Sequence, residues 1–100
     1  MEGDKKLNIE LSNEVAQGSY SNLAIVTHSP YEFIVDFIRV LPGLPKAQVG
    51  NRIIMTPSNI KMLANALMEN IDKYEQEFGK IELKEPINNI PINFGPKAEA

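Results

Sequence analysis

The stretch FIVDFIRV, from Phe33 to Val40, decides the fold of this chain. It sets six large apolar residues around one carboxylate, Asp36, and one guanidinium, Arg39. Side chains alternate between the two faces of a strand, so this strand is apolar on both faces. Such a strand needs a cover on each side, and a chain of 100 residues can build few layers. The sequence therefore predicts a partner surface, which we expect a second copy of the chain to supply.

The sequence predicts four strands of an antiparallel sheet. Residues 7–12 alternate apolar and polar side chains, which is typical of a half-exposed strand. The second strand is expected at about 20–27, the third at 32–41 and the last at 47–56. Turn-forming residues around Gly18 predict a loop between the first two strands. The last three strands are joined by proline-containing turns and form a meander, which the first strand extends at one edge.

The two later turns predict a register for this meander. Pairing the third and fourth strands about Leu44 places Asp36 opposite Arg52, which would satisfy a carboxylate in an apolar strand. The other pairs then join apolar residues, and a one-residue slip would destroy this match. The apolar pairs are Ile34 with Ile54, Val35 with Ile53 and Phe33 with Met55 in the second hairpin, and Ile25 with Ile34 and Val26 with Phe33 in the first.

An amphipathic helix is predicted over residues 57–78. Thr56 is a favourable N-cap, Pro57 a favourable first residue and Gly79 a typical helix end. We expect the helix to pack on one face of the sheet and the other face to be buried in a homodimer or larger assembly. The apolar residues recur at spacings of three and four and form one stripe: Ile60, Leu63, Leu67, Ile71, Tyr74 and Phe78.

The expected organisation is a single α+β domain over residues 7–79. Residues 1–6 are small and charged, and we expect a disordered lead. Residues 80–100 combine three prolines with several isoleucines. This composition predicts an extended tail, partly packed in a groove of the same chain or of a second subunit, with a disordered end.

Composition excludes several classes of function. The net charge of -3, with scattered basic residues, argues against nucleic-acid binding. The absence of cysteine excludes disulfides, thiolate metal sites and cysteine nucleophiles. The charged N-terminus and the absence of a long apolar run predict a cytoplasmic protein that does not enter a membrane. No glycine-rich phosphate loop or GxSxG motif is present, so we expect neither an enzyme nor a cofactor.

Four polar residues are candidates for a site. His28 is the single histidine, and turn histidines are ordinarily surface residues; a metal would need further ligands, which the spacing does not supply. Asp36, Arg39 and Arg52 could recognise a ligand carboxylate or amine. The other interpretation is structural, with Asp36 paired to Arg52 and Arg39 at a dimer seam or near a strand end. The candidate interface is apolar: Phe33, Val35, Phe37, Ile53 and Met55.

The chain resembles a known family in two specific segments. These are THSP-x-EF, Thr27 to Phe33, and DF-x-x-x-x-PG, Asp36 to Gly43. Together with RIIMTP and the following helix they resemble a small prokaryotic family, domain of unknown function 3467, over residues 7–95. This resemblance implies no activity. The order of sheet, helix and proline-containing tail is also similar, in architecture alone, to the bacterial export chaperone SecB.

These observations predict a non-enzymatic homo-oligomer that binds a protein or peptide, in the manner of a chaperone or otherwise. The surplus of apolar surface and the missing catalytic motifs are the reasons for this interpretation. The alternative is a small-molecule- or metal-binding protein that uses the four polar candidates.

Overall fold

The computed structural model describes residues 6–84. It is an α+β structure with an antiparallel sheet followed by a long helix, as predicted, but the sheet has three strands rather than four. The strand order is β1-β2-β3. The elements are α1 (Asn13–Ala16), β1 (Leu23–His28), β2 (Phe33–Arg39), β3 (Gln48–Met55) and α2 (Pro57–Phe78). The expected lead and most of the expected tail lie outside the described residues.

The predicted first strand is wrong. Residues 7–12 form no strand, and Leu7 and Ile9 are 86% and 84% exposed. The loop expected after them contains the short helix α1, because the Ser12 hydroxyl accepts the Val15 N–H at 3.2 Å and caps a helical turn. This cap ends the extended segment before it reaches the sheet. Alternating apolar and polar residues predict an extended amphipathic segment. Such a segment becomes a strand only if it pairs with the edge strand of a sheet, and local side-chain bonds compete with that pairing.

The first hairpin has a register shifted by two residues from the prediction. His28 lies opposite Phe33, and the turn is made by Ser29 to Glu32. Pro30 takes the second position of this turn, where its fixed φ is favourable. The Ser29 N–H donates to the Glu32 carbonyl at 2.9 Å, and the Ser29 hydroxyl accepts the Tyr31 N–H at 3.2 Å. A shift of two keeps every side chain on its predicted face, so the apolar pattern could not distinguish the two registers.

The second hairpin has the predicted register from Phe33 to Asp36. A register irregularity follows between Phe37 and Ile38, where the partner changes from Asn51 to Val49 and Gly50 is the extra residue of a bulge. The four confirmed pairs are Phe33 with Met55, Ile34 with Ile54, Val35 with Ile53 and Asp36 with Arg52.

Helix α2 has the predicted bounds. The Thr56 hydroxyl accepts the Asn59 N–H at 3.4 Å, Pro57 opens the helix, and Gly79 follows its end with a φ of 100°. This positive φ is a conformation that glycine adopts without strain.

The prediction that α2 packs on the sheet is wrong. Extensive contacts between the described elements join β1 to β2 and β2 to β3, and α2 has no buried residue. The reason is that an amphipathic stripe shows that a helix needs a partner surface without showing which one.

The core of the described residues is small. Val35 and Ile38 are its buried apolar side chains, and Asp36 is its buried charged one. All three lie on β2, the central strand. No helix within residues 6–84 is both long enough and apolar enough to cross a membrane.

Candidate functional site

An ion pair with one buried and one exposed member joins the central strand β2 to β3. Arg52 on β3 donates from Nε to Asp36 Oδ1 at 2.7 Å and from an Nη atom to Oδ2 at 3.0 Å. The predicted pairing is therefore confirmed, with the two-pronged geometry that a guanidinium and a carboxylate favour. Asp36 is 0% exposed, whereas the Arg52 side chain is 52% exposed. Arg52 therefore lies on the edge strand between the buried carboxylate and the solvent.

This pair affects the protonation of Arg52. The hydrogen bonds that Arg52 donates to Asp36, and then the negative charge of Asp36, raise the pKa of the Arg52 guanidinium above its ordinary value. The folded protein therefore holds this proton more tightly than the unfolded chain does. The resulting stabilisation is complete below the unfolded pKa and is lost only as the solution becomes strongly alkaline. Arg52 is therefore a permanent cation in all ordinary buffers.

The four polar candidates do not converge on one site. Asp36 and Arg52 share one face of the sheet. His28 and Arg39 lie on the other face, at opposite ends of β2, because His28 pairs with Phe33 and Arg39 is six residues further along. At about 3.3 Å per residue, this spacing separates them by about 20 Å. His28 stacks on Phe33 with ring centroids 5.3 Å apart.

The geometry gives no support to a metal site. Residues 6–84 contain no group of three or more histidine, cysteine, aspartate or glutamate side chains placed to hold an ion. The alternative of a ligand site built from His28, Asp36, Arg39 and Arg52 also gains no supporting observation from this arrangement.

The predicted apolar interface residues share one face of the sheet. Val35 lies between Val26 of β1 and Ile53 of β3, which explains its burial. Phe37 and Ile53 remain 37% and 45% exposed. We call this surface the Phe37 face; its members are Phe33, Val35, Phe37, Ile53 and Met55.

An open groove runs between the N-terminal segment and the Phe37 face. Its lining combines apolar, polar and charged residues, among them Val15, Tyr20, Phe37, Ile53, Asn51, Glu14 and Arg39. The groove therefore carries one cation, Arg39, and one carboxylate, Glu14, beside its apolar side chains. The apolar side chains of this groove could receive an extended apolar peptide.

Sequence reasoning missed two residues that complete the central strand. The side-chain amide of Asn22 accepts the Val40 N–H at 2.8 Å and donates to the Val40 carbonyl at 3.0 Å. It thus replaces a peptide group and extends the β1–β2 ladder beyond Leu23. The Ser21 hydroxyl donates to the carbonyls of Ile38 and Leu23, each at 3.0 Å. The signal in the sequence was the pair of polar residues, Ser21 and Asn22, immediately before the apolar strand β1.

Comparison with known proteins identifies a family and no activity. No curated protein and no solved structure matches the chain. These comparisons do not show the architectural likeness to SecB. A family model described as "Protein of unknown function (DUF3467)" matches residues 1–83, which include the sheet, the Asp36–Arg52 pair and α2. The chain therefore belongs to the DUF3467 family.

Proposed function

We propose that the protein is a non-enzymatic interaction module that associates with copies of itself and binds a protein or peptide partner. One observation supports this proposal above the others. The two buried apolar side chains of the described core contrast with large apolar side chains exposed on the Phe37 face and along α2. Contiguous exposed apolar surface in a protein marks a surface that other molecules cover.

The groove beside the Phe37 face is the proposed partner site. Its apolar side chains suit an extended apolar peptide, and the outer edges of β1 and β3 offer backbone groups to such a strand. In a chaperone-like form of this function, the peptide would be a segment of an unfolded client.

Self-association is tested by measuring molar mass by light scattering and sedimentation over a hundredfold range of concentration. We expect a mass above the 11.2 kDa of one chain at the upper end of the range. A monomer at every concentration would remove the homo-oligomeric part of the proposal.

The partner site is tested with peptides and with an unfolded client. We expect the protein to bind extended apolar peptides from a display library and to slow client aggregation. Ile53→Lys should abolish both effects because it places a charge on the Phe37 face. Ile54→Lys is the matched control, since Ile54 is similarly exposed but lies on the opposite face. Equal loss in the two variants, or no binding by the native chain, would reject the site.

A further inference from the structure

In the described part of the chain, the apolar stripe of helix α2 is exposed beyond Ile60, which is half-buried. The helix is 22 residues long, or about 33 Å at 1.5 Å per residue. Leu67 is 54% exposed and Phe78 is 67% exposed. Most of the stability of a protein helix comes from packing of its apolar face, so a helix in this state requires a partner.

The spacing of the apolar residues along α2 fits another helix as that partner. When Ala64 is counted in place of its neighbour Leu63, six residues of α2 follow intervals of four and three, which is the a/d pattern of a coiled coil; Leu63 then flanks this seam. A sheet face would accept a broader and less regular stripe. The residues are Ile60, Ala64, Leu67, Ile71, Tyr74 and Phe78.

Side-chain size favours an antiparallel copy of the same helix. The d positions of this pattern are Ile60, Leu67 and Tyr74, and the a positions are Ala64, Ile71 and Phe78. When two antiparallel copies cross at Glu69, each d residue of one copy packs against an a residue of the other. Leu67 then meets Ile71 of the second copy, and Ala64, the small residue of the stripe, meets Tyr74. Ile60 meets Phe78 in the outer layers. A parallel pair would instead place two alanines in one layer and two tyrosines in another, leaving a gap and a clash.

Charge favours the same arrangement. In the antiparallel pair, Lys61 of each copy flanks Glu75 of the other, which gives two attractive contacts. One Glu75 oxygen accepts the Ile81 N–H at 3.0 Å, and the other oxygen is available to Lys61. A parallel pair would place Glu75 and Glu77 of the two copies at the same end, where like charges repel.

We propose that α2 is the self-association surface of this protein and that two copies pair through it as an antiparallel two-helix coiled coil. This inference rests on the homo-oligomer in the proposed function and names the surface that forms it.

The helix direction is tested with spin labels. The chain has no cysteine, so a single introduced cysteine takes a single label. Met62, Glu69 and Gln76 lie seven residues apart on the outer side of the coiled coil, where a label does not disturb the contact. In the antiparallel dimer, the two labels at Glu69 lie at the same level along the axis, whereas the two labels at Met62 or at Gln76 are offset by about 21 Å along it.

We therefore expect the shortest label-to-label distance at Glu69 and longer, similar distances at the other two positions. Three equal distances in a dimer would show a parallel pair, and long distances at all three would place the interface elsewhere. Either result overturns this inference and leaves the homo-oligomer intact. A monomer would instead overturn the proposed homo-oligomer itself.

A charge exchange tests the contact between Lys61 and Glu75. We expect Lys61→Glu to raise the dimer dissociation constant roughly tenfold, because two attractive contacts become repulsive. Mixing Lys61→Glu with Glu75→Lys chains should restore association, since the mixed pair recovers both contacts. Lys73→Glu makes the same charge change away from the contact and should leave the constant unchanged. If Lys61→Glu and Lys73→Glu changed the dissociation constant equally, Lys61 would not contact Glu75 of the second copy.

Discussion

The carboxylate of Asp36 is completely buried, whereas the Arg52 guanidinium that neutralises it is half exposed to solvent. Removing one member therefore differs from removing the other. Without Asp36, Arg52 is hydrated; without Arg52, Asp36 is a buried charge with no ionic partner.

We expect Arg52→Met to lower the melting temperature by roughly 5–10 °C, and more than Asp36→Leu does. The double variant Asp36→Leu with Arg52→Met should be more stable than Arg52→Met alone, because the buried charge is absent. Thermal and denaturant unfolding of the four proteins measure these differences. Additive losses would show that the two side chains are not coupled in stability.

Asn22 is a second residue with a specific structural role, because its amide acts as an additional peptide group opposite Val40. Asn22→Ala should lower the free energy of unfolding by about 1 kcal/mol. It should also speed hydrogen exchange at the Val40 amide, while Asn22→Asp, which keeps the acceptor, should preserve part of that protection. Unchanged exchange at Val40 in Asn22→Ala would contradict this role.

The Asp36–Arg52 pair could be predicted from sequence because one register matched a charge with a charge and apolar residues with apolar residues. The role of Asn22 could not be predicted, because a side chain that forms hydrogen bonds in place of a peptide group leaves no periodic pattern in the sequence. The two-residue shift of the first hairpin was hidden for a related reason. Both registers place the same residues on the same face, and the local bonds of Ser29 decide between them.

At the scale of elements, α2 was predictable over its whole length because its signals are local. Thr56, Pro57 and Gly79 mark its ends, and each acts on its neighbouring backbone. The structure of residues 7–12 could not be predicted in this way. A strand must pair with another strand that is distant in sequence, and an alternating pattern does not identify that partner. A single hydroxyl, that of Ser12, was enough to begin α1.

Helix α2 should depend measurably on its N-cap. Thr56→Ala removes the acceptor for the Asn59 N–H and should lower the free energy of unfolding by about 1 kcal/mol. Thr56→Ser keeps the hydroxyl and should retain most of the stability. Circular dichroism during denaturant unfolding provides the measurement. A serine variant as unstable as the alanine variant would indicate that the Thr56 methyl group, rather than the cap, is responsible.

At the scale of the whole molecule, the described chain leaves both an apolar helix stripe and an apolar sheet face exposed. Both surfaces could be predicted from the sequence, but the sequence did not show that the helix stripe and the sheet face do not pack on each other within one chain. Hydrophobic periodicity reports how much surface must be covered, while the covering partner is set by three-dimensional placement. For this reason the predicted helix-on-sheet packing was wrong, although α2 and the three strands of the sheet were predicted.

If copies of the chain cover these surfaces, stability should depend on concentration. Association of folded chains adds to stability by mass action, so the melting temperature should rise by roughly 3–5 °C for each tenfold increase in protein concentration. Scanning calorimetry over two decades of concentration measures this slope. A melting temperature independent of concentration would show that the single chain is the stable unit.

One residue, Thr56, separates the end of β3 from the start of α2, and Pro57 fixes the next φ. So short a junction leaves a helix little freedom to swing relative to the strand before it. In a dimer joined through α2, the two grooves would therefore keep a constant spacing and a two-fold orientation. Such an object is bivalent: a ligand with two copies of a weak motif at that spacing would be held by avidity, whereas a single motif would dissociate quickly.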